Sequence, residues 1–235
     1  MTLLSKLPNL EQMTKTATGL NDDYSRDIKK GFEKKCLTTL IDGYKLMKEA
    51  GAYSPSWDEE SLTAHLIDHM KHSSFSSKWK LDITPEYPIY TQQVVDGIQK
   101  AKKAPVIDVR IMNWSRRDKL EYFIEAKNLA ENDWIKADGS KVNASHLRAR
   151  YIETGIDNFI NERYPYGCLA GYVLEGNIDI VIKGIAKLLM SKGRNRAQEV
   201  LNKSTTVHNH PYCYLSEHQT GNGKNILLNH IFLKF

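Results

Sequence analysis

The stretch that most constrains this chain runs from Pro105 to Leu129, which reads as two apolar strands around a charged turn. Val106, Ile107, Val109 and Ile111 are β-formers, as are Tyr122, Phe123 and Ile124, and Asn113 to Lys119 supply the polar break between them. Strand side chains alternate, so Glu125 and Lys127 share one face while Tyr122, Ile124 and Ala126 turn into the core. On the preceding strand Asp108 can join that polar face, leaving Ile107, Val109 and Ile111 on the other. Two carboxylates and an ammonium on adjacent strands make a compact site for a hard divalent cation and a water.

Glu-Ala-Lys is also a good helix tripeptide, so a helical reading competes. Acid-x-Lys occurs as Asp27-Ile28-Lys29, Glu33-Lys34-Lys35 and Glu125-Ala126-Lys127. The first two lie inside a helical pattern and read as solvated helix faces. Only the third follows a β-type run and has a second acid on a neighbouring strand candidate. A helix from Lys119 would carry Leu120, Phe123 and Ile124 on one face and then break that stripe at Lys127.

The elements around the hairpin follow from periodicity. Residues 1–22 are polar, with a short helix from Leu10 to Lys15. Ile28, Phe32, Leu37, Leu40, Ile41, Tyr44 and Met47 predict a long amphipathic helix from Asp23 to Ala50, stopped at Gly51. Packing on its own domain is the commoner fate of such a helix; docking a partner or a second copy is the other. Ser54-Pro55 reads as the cap and first turn of the next helix, to His72, with Leu62, Leu66, Ile67 and Met70 inside. Glu59 stands at the head of that stripe, either as a site residue or as a first-turn acid complementing the helix dipole, and Glu60 is the fallback. Trp79 to Tyr90 reads as a strand that Pro85 and Pro88 confine to an edge or a bend, with Glu86 exposed between them. Thr91 to Lys103 is a short helix or loop ending in Lys100, Lys102 and Lys103. Ala130 to Asn143 is a polar loop turning at Asp138-Gly139. Ala144 to Tyr164 is a helix with Arg148 and Arg150 in its first half, and its Gly155 hints at close packing. Cys168 to Leu174 is a strand central to the sheet. Ile178 to Ser191 and Arg196 to Asn202 are helices, and Thr205 to Leu215 and Ile226 to Phe235 are strands, the last stitched into the sheet. The domain boundaries implied are an N-terminal helical extension over 1–53 and a main domain over 54–235.

Asp108, the step of seventeen residues to Glu125, and Lys127 resemble the signature of the PD-(D/E)xK nuclease superfamily. The residue before Asp108 is Ile107 where that signature has proline. Helix, strand, strand, strand, helix, strand from Ser56 to Leu174 is similar to the αβββαβ core of the same superfamily. The resemblance implies an α/β fold with a central mixed sheet flanked by helices, plus helical and strand additions at the two ends. It implies a metal-dependent endonuclease acting on nucleic acid, most simply DNA, as a restriction or anti-phage effector. Asp108 and Glu125 would ligate Mg²⁺, or Mn²⁺ in its place, helped by the carbonyl of Ala126 and completed by Glu59. Lys127 would orient or deprotonate the attacking water, with its pKa lowered beside the metal. Lys100, Lys102, Lys103, Arg116, Arg117 and Arg148 are the candidate phosphate contacts. The other class is a catalytically inactive nuclease-fold protein kept as a nucleic-acid-binding or assembly subunit, against which stands the intact motif.

Composition excludes other classes. Among 235 residues, 41% hydrophobic and 26% charged describe an ordinary globular chain. Its longest apolar run is broken by Asp179, Lys183 and Lys187, so no membrane helix is expected, and no signal-peptide pattern opens the chain. Three cysteines form no even framework and point to a reducing, cytoplasmic setting. No phosphate-cradling G-x-x-x-x-G-K-[ST] loop is present, so a motor NTPase, or a regulator, would be a separate partner chain; self-association into a homo-oligomer stays open. His208, His210, Cys213 and His218 crowd together, but their spacing fits no common structural zinc pattern.

Overall fold

The computed structural model describes residues 10–90, 92–98, 100–114, 119–191, 201–207 and 209–235. It is an α/β fold whose mixed sheet is flanked by helices on both faces. The sheet takes its shape from two parallel joins: β3 (Lys119–Ala130) pairs with β6 (Gly167–Glu175), and β6 with β9 (Asn225–Lys234). Parallel neighbours need long crossovers. The first uses α5 (Ala144–Arg150), a π-helical turn over Tyr151–Ile156, and α6 (Asp157–Ile160); the second uses α7 (Ile178–Ser191). Antiparallel ladders extend both sides, with β1 (Asp82–Pro88) and β2 (Val106–Trp114) beyond β3, and β8 (Cys213–Gln219) and β7 (Asn202–Lys203) beyond β9. The edge position of β1 suits Pro85 and Pro88, which have no amide to give a ladder.

Each sheet face buries its own core. On one, Leu37, Leu40 and Met47 of α1 (Leu10–Glu49) and Leu62, Leu66 and Met70 of α2 (Glu59–His72) pack on Tyr122, Ile124, Ala126 and Tyr172. On the other, Tyr151, Ile156, Val181 and Ile185 cover Phe123, Leu129, Leu169 and Val173. Helices α1 and α2 cross closely at Gly43, where a Cβ would lie 2.9 Å from the Met70 backbone. Since Phe32 to Met47 belong to the same cluster as the sheet, the core straddles the boundary drawn at residue 53.

Several elements differ from their sequence expectation, each for a local reason. α1 is one helix from Leu10, absorbing the short Leu10–Lys15 segment, and it ends as expected at Gly51, which takes φ +62. Ser54 does not cap α2: its carbonyl closes a turn onto Trp57, and Asp58 caps instead, accepting from Ser61 N at 2.7 Å. A further helix, α3 (Ser74–Trp79), is capped by Ser73 and stopped at Lys80 in the left-handed region, which delays β1 to Asp82. A one-turn α4 (Gln92–Val95) and a 3₁₀ turn at Ala101–Lys103 join β1 to β2. The polar loop after β3 contains a hairpin, β4 (Trp134–Ile135) and β5 (Lys141–Val142), turning where Gly139 takes φ +83. The long helix after it ends at Ile160 rather than Tyr164, with Glu162 at φ +55 behind it. β8 begins at Cys213, not Thr205. The expected helix from Arg196 falls on residues outside the description, except that Asn202 opens β7. Glu33 is buried on α1, facing Asn229, rather than solvated; burial pushes its carboxyl up.

Among the described residues no helix is long and apolar enough to cross a membrane.

Candidate active site

The site forms where β2 leaves β3. The β2–β3 ladder pairs Trp114 with Lys119 down to Val109 with Ile124, and β3 then runs on against β6 alone. From Glu125 onward one edge of β3 therefore faces no strand. Its outward amides, two residues apart, are met by carboxylates instead: Ala126 N donates to Asp108 Oδ2 at 2.6 Å and Asn128 N to Glu59 Oε2 at 2.9 Å. Two acids from distant elements thus replace a ladder, because buried amides need acceptors.

The departure of β2 has a visible cause. Glu86, opposite Asp108 in the β1–β2 register, takes φ +44 and interrupts the pairing. At the same point β2 changes face. Val109 and Ile111 lie in the α1–α2 core but Ile107 lies in the other, so the expectation that all three share a face is corrected. The change leaves the Asp108 side chain pointing along the open edge of β3. Glu86 itself is exposed, as expected.

Lys127 fills the centre. Its Nζ donates to Glu125 Oε1 at 2.7 Å, Ala126 O at 2.7 Å and Glu59 Oε1 at 3.1 Å, which uses all three protons of an ammonium. Gly155 on the π-helical turn makes room for Leu169, since a Cβ there would lie 2.4 Å from Leu169 Cδ2, and it packs beside the Lys127 stem. The head of α2 is fixed from beneath: Thr63 Oγ1 donates to Glu59 O at 2.7 Å and meets Tyr172 OH at 3.1 Å.

The electrostatics are unbalanced. Glu125 and Lys127 are each 4% exposed. Burial, with Asp108 alongside, pushes the Glu125 carboxyl up to about 8. Burial also raises Asp108, against the pull of Lys127 and the Ala126 amide. For Lys127 burial works downward, but the carboxylates of Glu125, Glu59 and Asp108 outweigh it and hold the ammonium above its ordinary value. Three carboxyls around one buried ammonium retain a proton at neutral pH, which belongs to the Asp108–Glu125 pair rather than to either residue. Glu125 Oε2 is buried with no hydrogen-bond partner among the described residues. Tyr164 feels the same field: burial, Glu125 and Asp108 push its phenol up, and its hydroxyl donates to Val106 O at 2.9 Å.

Asp108, Glu125, Lys127 and Glu59 therefore converge, and the Ala126 carbonyl lies among them. Glu60 does not join; it is exposed, one residue further on. Among the described residues no group of three or more His, Cys, Asp or Glu side chains stands ready to hold a metal ion. The oxygens nearest to such a set are held by Lys127 itself. The oxygen set nevertheless fits a hard cation, because Glu125 Oε2 is an orphaned buried acceptor beside a second carboxyl.

The proposed phosphate contacts divide. Lys100, Lys102 and Lys103 are exposed just before β2. Arg116 and Arg117 lie outside the described residues. Arg148 is engaged at one nitrogen: its Nη1 donates to Ala130 O at 2.6 Å and Glu131 O at 2.9 Å, tying α5 to the end of β3. The arginine at the site is Arg150, two residues on, with Nη2 3.8 Å from Glu59 Oε1. Sequence reasoning also missed Asn128 and Tyr164; the first lies one residue beyond the motif, and the second carries no signal in any spacing. Of the crowded histidines, His208 lies outside the described residues, His210 donates to Phe232 O and His218 bonds Ser216. Comparison with protein-family models, with curated proteins and with solved structures finds no match for this chain.

Proposed function

We propose that this protein is a metal-dependent phosphodiesterase that cleaves nucleic acid, DNA first, with a restriction-endonuclease-like core. The observation that carries the proposal is Glu125, a buried carboxylate with one orphaned oxygen beside Asp108, on a strand edge left open in mid-sheet. An acid used only for stability gains nothing from a like charge beside it and an oxygen without a partner, even with Lys127 on its other oxygen. The order α2, β1, β2, β3, α5–α6, β6 gives further support, being the element order of the superfamily the motif resembles.

Asp108, Glu125 and the Ala126 carbonyl would hold Mg²⁺ or Mn²⁺, with Glu59 completing the set directly or through water. Such an ion, when bound, acidifies a water and offsets charge growing at the phosphate and the leaving oxygen. Lys127 is the residue with two tasks. In the metal-free site it neutralises Glu125 and holds the Ala126 carbonyl. Once released from those two it keeps Glu59, orients the attacking water and offsets phosphate charge. Its raised pKa makes it a charge and a proton donor before it can be a base.

The test is digestion of plasmid and single-stranded DNA with Mg²⁺, Mn²⁺ or EDTA. Cleavage should need the divalent ion and fall at least about a thousandfold in folded Lys127→Ala, a loss in the range of other buried electrostatic groups. Cleavage that persists in excess EDTA, or in folded Lys127→Ala, rules the reading out.

A further inference from the structure

Beside the carboxylate cluster opens a cleft of about 400 Å³, and Glu59 belongs to both. The β4–β5 hairpin forms one wall with Trp134, Lys136 and Val142, and α5 forms another with Leu147 and Arg150. The floor is Asn128. Its backbone is fixed on Glu59, and its side-chain Oδ1 is buried without a hydrogen-bond partner among the described residues. The cleft thus offers an indole and aliphatic side chains, two cationic heads, and the side chain of Asn128. Three acids, Asp58, Glu59 and Glu60, share the lining with the two cations, so an anion must enter on the side of Arg150 and Lys136. Asp58 is engaged as the α2 cap and Glu60 is solvated.

We propose that this cleft holds one unstacked nucleotide next to the scissile phosphate, so that the protein prefers single-stranded or frayed DNA. The choice of a nucleic-acid ligand rests on the phosphodiesterase reading; the fit comes from the cleft itself. Its volume lies at the small end of ligand sites, about 300–1,000 Å³, and suits one nucleotide, not a duplex. An unstacked base can lay its face on Trp134 and give an N–H to Asn128 Oδ1, while Arg150 and Lys136 take the flanking phosphate. A base inside a duplex has both its face and its edge engaged.

The experiment measures binding in EDTA, where cleavage plays no part, by fluorescence anisotropy of a labelled twelve-nucleotide strand, alone and in duplex. The single strand should bind at least about tenfold more tightly than the duplex, as one base–aromatic contact allows. Trp134→Ala and Asn128→Leu should each weaken the single strand about tenfold and the duplex little, and Trp134→Tyr should restore most of the loss. Asn128→Leu alters no cap or strand bond, so it decides the matter if Trp134→Ala unfolds the hairpin. No single-strand preference in the wild type, or wild-type binding by folded Asn128→Leu, overturns the proposal. A protein that cleaves DNA with Mn²⁺ but shows neither effect loses the cleft and keeps the hydrolase reading. A cleft-dependent single-strand preference in a protein that never cleaves does the reverse.

Discussion

Two buried polar clusters lie in this sheet, and they are built on opposite principles. Between β8, β9 and the π-helical turn, Tyr151 OH meets His230 Nδ1 at 2.9 Å, and Ser216 Oγ meets His230 Nε2 at 2.7 Å and His218 Nε2 at 2.6 Å. Both ring nitrogens of His230 are used, and burial, then His218, drives its pKa down to about 3, so this imidazole is neutral. At the β2–β3 divergence the groups are charged, one oxygen is orphaned, and a cleft opens alongside. The first is a hydrogen-bonded network around a neutral imidazole, of the kind that fixes strand register. An unbalanced one keeps strain that a cation or substrate can relieve, which marks the second cluster and not the first as the site.

The sharpest way to break that contrast is to damage the first cluster. His230→Phe strands the Tyr151 hydroxyl in the core and leaves Ser216 with His218 alone, and unfolding in urea should show a loss of about 2–4 kcal/mol. Any nuclease activity of the folded fraction should be unchanged. A large fall in activity at full folding would give this cluster a role it is here denied.

The two clusters should also answer pH with opposite sign. Glu125 is raised above its ordinary 4.5, so it binds its proton more tightly in the native state. Its stabilisation is fully present below pH about 4.5 and is lost as pH rises through about 8. His230 is depressed, so its contribution is present above its ordinary 6.5 and is lost as pH falls toward about 3. In EDTA the Tm should decline between pH 5 and 8, at about 2–4 °C per kcal/mol. Glu125→Gln should remove most of that decline and leave the acid limb in place. A Tm rising across the same window in the wild type would contradict the assignment.

The smallest effect concerns the surface. If Lys100, Lys102 and Lys103 meet phosphates, replacing all three by Ala should make the log–log salt dependence of DNA binding shallower by about one unit per contact. An unchanged slope would place the nucleic acid elsewhere.

The motif and its strands were legible because they depend on local chemistry. β-formers flanking a polar break gave the hairpin, and period-two alternation gave the shared face of Glu125 and Lys127. Pro85 and Pro88 gave the edge, and Gly155 the close helix approach. What stayed hidden depends on distance in the chain. The switch of face at Asp108 falls opposite Glu86 across the ladder, and Arg150 lies beside Glu59 while Arg148 Nη1 is engaged by the carbonyls of Ala130 and Glu131. Glu33 read as solvated because nothing local shows Asn229 facing it. The hairpin that walls the cleft is two residues per strand, too short to leave a period.

The central claim is that the Asp108–Glu125–Lys127 cluster is a cation site and not a structural ion pair, and a thermal-shift series on Asp108→Asn tests it most directly. The substitution removes one negative charge at nearly constant volume, and an amide oxygen can still accept from Ala126 N. In EDTA the variant should melt at or above the wild-type temperature, by up to ~1 kcal/mol, because repulsion with Glu125 is relieved. Millimolar Mn²⁺ should raise the wild-type Tm by mass action and the variant's far less. A drop of several kcal/mol in the variant, the same with and without Mn²⁺, would show that Asp108 serves stability alone and would contradict the account.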